Sequence, residues 1–186
     1  MPTWWETATQ YAAASKIKLT NDLLWVDLSR QRLEHWQNGH RQQVYTISTS
    51  ARPPNNTIDS LGTPTGWFEV AARHGEEAPA GTVFRGRVSC GYHWKEAPAV
   101  DQKKNLVTSR ILRLQGLEEG HNRGGDCDTW ERYIYFHGTN HPDKLGTPQS
   151  AGCILLSDSD IIQLFPIIPT GTVVWIPRET IKKPNA

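Results

Sequence analysis

Two neighbouring segments decide the fold: YIYFHG at residues 133–138 and QSAGCILL at residues 149–156. The first is an apolar run that ends in His137 and Gly138, which predicts a buried strand with an imidazole at its end. The second places Cys153 between a turn of small residues and a further apolar run. A cysteine nucleophile needs a thiol and a base, and here both stand at the edges of buried elements. We therefore treat Cys153 and His137, sixteen positions apart, as a candidate catalytic pair.

The residues next to Cys153 support this interpretation. Gly152 permits a tight turn, so the backbone N–H groups of Ala151 and Gly152 can converge on a developing oxyanion. A neighbouring imidazole is expected to lower the pKa of the thiol by stabilising the ion pair. The alternative is a structural role, because free cysteines are often small buried hydrophobes. The residues alone leave both interpretations open.

The composition restricts the class of protein. A chain of 186 residues with 15 glycines and 12 prolines is typical of one loop-rich, mainly β domain. The formal net charge of +1 predicts neither a nucleic-acid partner nor a membrane partner. Cys90, Cys127 and Cys153 form no Cys-x-x-Cys pair, so we expect neither a disulfide scaffold nor a thiolate zinc site. No export signal is visible at the start of the chain, which predicts a cytoplasmic protein, or a periplasmic one if a leader has been removed.

The hydrophobic pattern outside the two segments predicts mostly strands. Residues 4–18 have helical spacing, and residues 23–49 are typical of an antiparallel meander with a two-residue turn at Asn38-Gly39. A short helix is expected to begin at Ser157 or Asp158 and to end at Phe165. Further strands are predicted at residues 67–72, 83–89, 108–114, 133–136 and 172–176. Together these elements predict a mainly β fold, a curved sheet or sandwich with one or two short helices.

Other residues with reactive side chains are weaker candidates. Cys90 lies close to His93 and forms a rival thiol–imidazole pair, but aromatic packing explains this segment better; the segment also opens a candidate flap. Asp126 and Asp128, on either side of Cys127, are too few carboxylates for a calcium loop. His141 is an alternative base in the loop that follows His137.

Longer motifs resemble the active-site signature of the L,D-transpeptidase (YkuD-type) family. They are HGT at residues 137–139 and LGTPQSAGCI at residues 145–154, preceded by STS at 48–50 and TPTG at 63–66. The resemblance covers residues 23–176 and implies the curved β-sandwich of that family. It divides the chain into an N-terminal helical extension at 1–20, the catalytic domain at 21–178 and a C-terminal tail at 179–186.

The resemblance also implies a reaction. Cys153 would attack the carbonyl on the L-centre of diaminopimelate in a peptidoglycan stem tetrapeptide, and D-alanine would leave a thioester behind. His137 would activate the thiol, while the backbone carbonyl of Gly138 would hold the other imidazole nitrogen. Ala151 and Gly152 would supply the oxyanion donors. The implied partners are stem tetrapeptides or muropeptides, with no cofactor.

Substrate carboxylates would require cationic or polar donors. The candidate substrate-binding residues are Ser150, Arg132, Tyr135, Tyr92 and Trp94, and Arg123 and Arg87 are further candidate cations.

Two positions depart from the family pattern. Ala151 stands where the family usually has histidine, and Leu155 stands where it usually has arginine. Both departures, with the missing export signal, favour an L,D-carboxypeptidase that trims recycled tetrapeptides over a cross-linking enzyme. The alternatives are an L,D-transpeptidase that forms cross-links or exchanges D-amino acids, and a non-catalytic relative that binds muropeptides.

Overall fold

The structure is a computed structural model that describes residues 4–179, and it confirms the mainly β class. Three α-helices occur within these residues: α1 Trp4–Ala14, α2 Ala99–Gln102 and α3 Asp158–Leu164. The strands are β1 Asp22–Asp27, β2 Arg32–Gln37, β3 His40–Thr46, β4 Gly66–His74, β5 Thr82–Arg85, β6 Val88–His93, β7 Val107–Gly116, β8 Tyr135–Gly138, β9 Ile154–Leu156 and β10 Val173–Ile176. Across the described part of the chain, no helix is long and apolar enough to cross a membrane.

The strands form one mixed sheet in the order β3-β2-β1-β10-β4-β7-β5-β6, with β8 and β9 branching from β7. The last strand, β10, lies between β1 and β4. It pairs in parallel with β1 and antiparallel with β4. The meander β1–β3 is therefore attached to the rest of the sheet through β10. As predicted, Asn38 and Gly39 form the two-residue turn between β2 and β3, with φ of 48° and 82°.

The sheet closes on itself beside the candidate nucleophile. After β3 the chain continues through Ser48, which forms an isolated bridge with Leu155 of β9. Both backbone hydrogen bonds of this bridge are made, at 3.0 and 2.8 Å. Two residues further on, Ser50 bridges Ser150 in the turn that leads to Cys153. The closure encloses the main core and fixes that turn against the β3 side of the sheet.

Alternating residues of the strands fill two cores on opposite faces of the sheet. In β1, Leu24 and Val26 face the main core, which also contains Phe136, Ile154 and residues of α3. Leu23 and Trp25 face a second, tryptophan-rich core under α1. Phe136 and Ile154 face the main core, whereas Tyr135 and Cys153 pack with Phe84 and Ile111 in a third, smaller cluster that shares no residue with the core under α1. This two-residue period is the reason why the strands could be predicted from sequence.

Several boundaries differ from the prediction, and three of them fall at non-glycine residues with positive φ. Helix α1 ends at Ala14 instead of Lys18, because Lys16 adopts φ of 58° and closes the end with a Schellman motif. The expected strand at residues 83–89 is two strands, β5 and β6, joined by a turn at Gly86-Arg87. The expected strand at 133–136 begins two residues later, because Tyr133 has φ of 55°.

Candidate active site

Two parallel strands bring the thiol and the imidazole together. Strands β8 and β9 pair in parallel, with His137 opposite Leu155 and Phe136 opposite Ile154. Cys153 immediately precedes β9, so its place in the register is one residue before Ile154. Both strands are buried along their whole length. The sixteen-residue separation in sequence thus becomes proximity on adjacent strands, on the side of each strand that faces away from the main core.

His137 is held as a neutral base. Its side chain is 3% exposed, and its Nδ1 lies 2.7 Å from the backbone oxygen of Gly138. Because a carbonyl oxygen only accepts, Nδ1 carries the ring proton and Nε2 is left with a free lone pair. Burial lowers the pKa of His137 to about 4, although the Gly138 carbonyl and the Asp158 carboxylate oppose that change. The imidazole is therefore unprotonated at neutral pH.

Cys153 is also neutral in the resting protein. Its side chain is half-buried, and its Sγ–H donates to the backbone oxygen of Tyr133 at 3.4 Å. Burial raises the pKa of the thiol to about 11, which the Tyr135 backbone N–H and the Arg132 guanidinium only partly offset. The lowered pKa expected from sequence is not found. The pair rests as thiol and imidazole rather than as thiolate and imidazolium.

The turn that presents Cys153 is stabilised from within by Ser150. The Ser150 hydroxyl donates to the backbone oxygen of Cys153 at 2.6 Å and accepts from the N–H of Gly152 at 3.2 Å. Gly152 has φ of 121°, and a Cβ there would lie 3.1 Å from Cδ1 of Ile134. Only glycine suits that conformation and spacing. Ser150 thus braces the turn, one of the two roles that the sequence allowed, and its contact with substrate stays a prediction.

The oxyanion donors differ in availability. The N–H of Gly152 is already engaged by the Ser150 hydroxyl. The N–H groups of Ala151 and Cys153 donate to no protein acceptor within residues 4–179. Ala151 is exposed beside the thiol. Its N–H therefore remains a predicted oxyanion donor, and that of Cys153 joins it, while Gly152 provides the turn.

Asp158 stabilises the surroundings of the His137 imidazole, a role that the sequence analysis did not assign to it. It is the first residue of α3, and its Oδ1 accepts hydrogen bonds from Thr108 at 2.6 Å and from Ser109 at 2.5 Å. Both hydroxyls belong to β7, next to β8. A Cβ on Gly138 would overlap Oδ1 of Asp158 and lie 2.7 Å from the Thr108 hydroxyl. Gly138 is thus required by its position as well as by its carbonyl.

Leu155 and Arg132 serve the framework. Leu155 is fully buried between β8 and Ser48. The Arg132 guanidinium donates to three acceptors of one loop: the backbone oxygens of Asn55 and Gly62 and the hydroxyl of Ser60. It therefore orders the loop before β4, and burial lowers its pKa. Arg132 acts on Cys153 through its positive charge, which opposes the rise of the thiol pKa.

Tyr92 and Trp94 were predicted to contact substrate. Tyr92 lies on β6, at the sheet edge, and Trp94 begins the short helix after it. Within the described residues, the ring contacts of Trp94 are to His93 and Lys95. None of these ring contacts involves Cys153, and the substrate role of Tyr92 and Trp94 stays a prediction.

The remaining candidates have local roles. The three cysteines are free, and Cys127 donates to the backbone oxygen of Gly124. His141 lies 3.2 Å from the backbone oxygen of Lys104, so it is not aimed at the thiol. Arg123 is exposed. Asp128 accepts from backbone N–H groups of its own loop.

Around Tyr135 the structure gathers cations that the sequence barely indicated. The Tyr135 side chain packs in the same apolar cluster as Cys153, and its hydroxyl accepts from Nη1 of Arg87 at 3.0 Å. Arg113 lies opposite Tyr135 in the β7–β8 pair and is 6% exposed. Of these three residues, Tyr135 and Arg87 were sequence candidates, whereas Arg113 had no local signal because it alternates with leucines in a plain strand.

No group of three or more metal-ligating side chains occurs among residues 4–179. A cavity of about 380 Å³ is lined by Tyr11, Trp67, Glu118, Trp175 and neighbouring residues. It lies on the α1 face of the sheet, away from the catalytic turn, so we do not assign it to the reaction.

Comparisons with known proteins agree with this geometry. The family profile of the L,D-transpeptidase catalytic domain (YkuD) matches residues 21–176. The YkuD protein of Bacillus subtilis is 48% identical over 48 residues, which are 26% of this chain and 29% of that protein. The aligned part thus covers less than a third of the curated relative.

Solved structures share the fold at low identity. An L,D-transpeptidase from Mycobacterium smegmatis has a TM-score of 0.52 at 17% identity, over 84% of this chain and 58% of that one. L,D-transpeptidase 3 from Mycobacterium tuberculosis has a TM-score of 0.54 at 14% identity, over 85% and 61%. The profile match spans most of the chain and includes both candidate catalytic residues. The chain therefore belongs to the L,D-transpeptidase catalytic domain family.

Proposed function

We propose that this protein is an L,D-carboxypeptidase that removes the terminal D-alanine from peptidoglycan stem tetrapeptides. The observation that carries the proposal is the neutral pair of Cys153 and His137, with the imidazole tautomer set by the Gly138 carbonyl. A neutral thiol beside a neutral base suits general-base catalysis, in which the thiol loses its proton only as it attacks. The family assignment supports peptidoglycan peptides as the substrate class.

The first half of the proposed reaction forms a thioester. Sγ of Cys153 leaves the Tyr133 carbonyl, transfers its proton to Nε2 of His137 and bonds to the carbonyl carbon of the diaminopimelate–D-alanine bond. The resulting oxyanion is stabilised by the N–H groups of Ala151 and Cys153. The C–N bond then breaks, and the imidazolium returns the proton to the departing amine of D-alanine.

The second half regenerates the thiol. Water gives a proton to Nε2 of His137 and attacks the thioester carbonyl, after which the C–S bond breaks and Cys153 recovers a proton from the imidazolium. An amine acceptor would follow the same steps and give a transpeptide. Ala151 and Leu155, which depart from the family pattern, support water as the acceptor.

The second candidate function is L,D-transpeptidation. The observation in its favour is the name of the solved neighbours, which are L,D-transpeptidases, including those from Mycobacterium smegmatis and Mycobacterium tuberculosis. Their identity to this chain is low, so they support the fold assignment more than any choice between water and an amine as the acyl acceptor. We extend our proposal to soluble, recycled muropeptides in the cytoplasm, where water is the abundant acceptor.

The test is mass spectrometry of products from a defined disaccharide tetrapeptide, with and without an excess of a D-amino acid such as D-methionine. We expect tripeptide and free D-alanine in both reactions, and no product with Cys153→Ala. Predominant D-methionine exchange or dimer formation would replace our proposal with the transpeptidase. No turnover of any tetrapeptide, together with binding of the muropeptide, would identify a non-catalytic relative.

A further inference from the structure

Three side chains that carry or can accept positive charge converge beside Tyr135, and we call them the cationic cluster: Arg87, Arg113 and His74. Each comes from a different element, namely the β5–β6 turn, β7 and the end of β4. They are close enough to affect one another, because Arg87 and Arg113 add to burial in lowering the pKa of His74. The charge of Arg87 likewise adds to burial in lowering the pKa of Arg113.

The cationic cluster surrounds the residues that hold the nucleophile. The Tyr133 ring lies under both guanidiniums, with centroid distances of 5.1 Å to Arg87 and 5.0 Å to Arg113. The Tyr133 carbonyl is the acceptor of the resting Cys153 thiol. A ligand group bound by the cluster would therefore lie next to the reacting sulfur.

The cluster lacks an anion of its own. Among the described residues, no carboxylate lies within salt-bridge distance of Arg87 or Arg113. The acidic group that acts on Arg113 is Glu131, from a distance longer than an ion pair. Arg113 is nevertheless almost fully buried, and its Nε has no hydrogen-bond partner, nor has Nε2 of His74. Buried cations and donors of this kind are unfavourable unless a ligand completes them.

The backbone holds this arrangement in unfavourable conformations. Arg87 has φ of 70° and Tyr133 has φ of 55°, both in the left-handed region that side chains avoid. A third such residue, Ser109, has φ of 64° and binds Asp158 behind the imidazole. Unfavourable φ values of this kind concentrate at functional sites, because the surrounding structure must enforce them. The conformation of the turn at Arg87 thus directs the guanidinium toward Tyr135.

We propose that the cationic cluster is a subsite for a carboxylate of the substrate, with Arg87 as the residue that binds it. Arg87 is the half-exposed member and keeps donors that Tyr135 does not use. Arg113 adds its positive charge to the local field, whereas His74 is neutral at neutral pH, because burial and the two arginines lower its pKa. In this subsite Arg87 supplies the cation that the leucine at position 155 cannot supply. This inference rests on the proposed function, since it takes a stem peptide as the ligand.

Three carboxylates of a tetrapeptide could occupy the subsite: the terminal one of D-alanine, the α-carboxylate of D-glutamate and that of the diaminopimelate D-centre. The experiment uses the tetrapeptide and three analogues, each with one of these groups as a primary amide. The dissociation constant is measured on the Cys153→Ala protein, in which no turnover occurs, and KM is measured on the active enzyme.

We compare the unsubstituted enzyme with Arg87→Asn, because asparagine tolerates the positive φ of this turn. Loss of one charge-assisted pair should weaken binding of the tetrapeptide about 10- to 100-fold. The same loss is expected in the unsubstituted enzyme for one amide analogue, and that analogue identifies the carboxylate. With that analogue, Arg87→Asn should cause no further loss.

The matched control is Arg85→Asn on the same hairpin, where the arginine is exposed and pairs with Asp101. It should bind all four peptides as the unsubstituted enzyme does. The subsite is disproved if Arg87→Asn keeps the affinity for the tetrapeptide, or if its loss is equal for all analogues. An absence of turnover with normal, charge-dependent binding would instead reject the proposed function and leave the subsite intact.

Discussion

At the residue scale, the state of the resting thiol determines how the nucleophile reacts. A cysteine paired with imidazolium is reactive at neutral pH, whereas a thiol with a pKa of about 11 is almost wholly protonated there. The hydrogen bond from Sγ to the Tyr133 carbonyl favours the same protonated form, because only the thiol can donate. Reactivity is therefore acquired when substrate is bound.

This state predicts slow alkylation of Cys153 by iodoacetamide in the substrate-free enzyme. At pH 7 the thiolate fraction should be on the order of 10⁻⁴, and the rate should rise about tenfold per pH unit up to about pH 10. His137→Ala should change this resting rate little while abolishing turnover. Peptide mass mapping separates Cys153 from the other two cysteines. A rate that is already constant above pH 8, and that falls in His137→Ala, would instead indicate a preformed ion pair.

Cys153 and His137 could be predicted from sequence because each follows or precedes an apolar run within one short stretch of chain. The pKa values could not, since burial is the first cause of both shifts and burial depends on the whole fold. Arg113 was missed for a related reason. An arginine that alternates with leucines predicts a side chain on the exposed face of a strand. The fold instead packs the Trp130 ring against Arg113, with 3.3 Å between the guanidinium carbon and the ring centroid, and this packing buries the side chain.

At the element scale, α3 controls the imidazole through its first residue. Ser157 caps the helix by accepting from the Asp160 N–H at 3.0 Å, so the position of Asp158 is well determined. Asp158 then joins α3 to β7 through two hydroxyls, and its charge raises the pKa of His137 against the effect of burial. The charge at the start of α3 thus influences the pKa of His137.

We predict that Asp158→Asn shifts the acid limb of kcat/KM for the tetrapeptide. His137 must be unprotonated to act as a base, so activity falls as pH drops through its pKa of about 4. Removing the carboxylate charge lowers that pKa further, and the limb should therefore move to lower pH. The asparagine oxygen still accepts from Thr108 and Ser109, so the fold should persist. Asp160→Asn, on the same turn of α3, should leave the limb in place, and an upward shift in Asp158→Asn would contradict the assignment.

Three of the boundaries that the sequence misplaced share one physical cause. The turn at Gly86-Arg87, the end of α1 at Lys16 and the late start of β8 after Tyr133 all involve a non-glycine residue with positive φ. Local preference opposes these conformations, so only tertiary contacts produce them. Regular stretches such as β2, whose bounds agree with the prediction at Arg32–Gln37, follow from their two-residue period.

At the scale of the whole molecule, α1 is packed into the domain. Trp4 is 6% exposed, stacks on Trp36 at 4.2 Å between ring centroids and lies 5.1 Å from Trp25. These contacts cover the face of β1 and β10 that lies opposite the main core. The sequence division into a helical extension and a domain describes the chain order, while the packing makes both parts of one structure.

We predict that Trp4→Ala destabilises the protein by about 3–5 kcal/mol, the usual loss for a buried tryptophan. For a chain of this length the melting temperature should fall by about 10 °C. The rate of tetrapeptide hydrolysis well below that temperature should be unchanged, because the tryptophan-rich core shares no residue with the cluster that contains Cys153. Tyr11→Ala, on the half-exposed side of the same helix, should lower the melting temperature much less. Equal losses for both variants would show that the tryptophan core does not anchor α1.

The central position of β10 has a consequence for how the chain is made. Strand β10 is the last strand of the sheet to be synthesised, so the facing edges of β1 and β4 stay unpaired until it emerges. Until residues 173–176 emerge, the meander and the catalytic strands are two incomplete sheets whose unpaired backbones invite association with other chains.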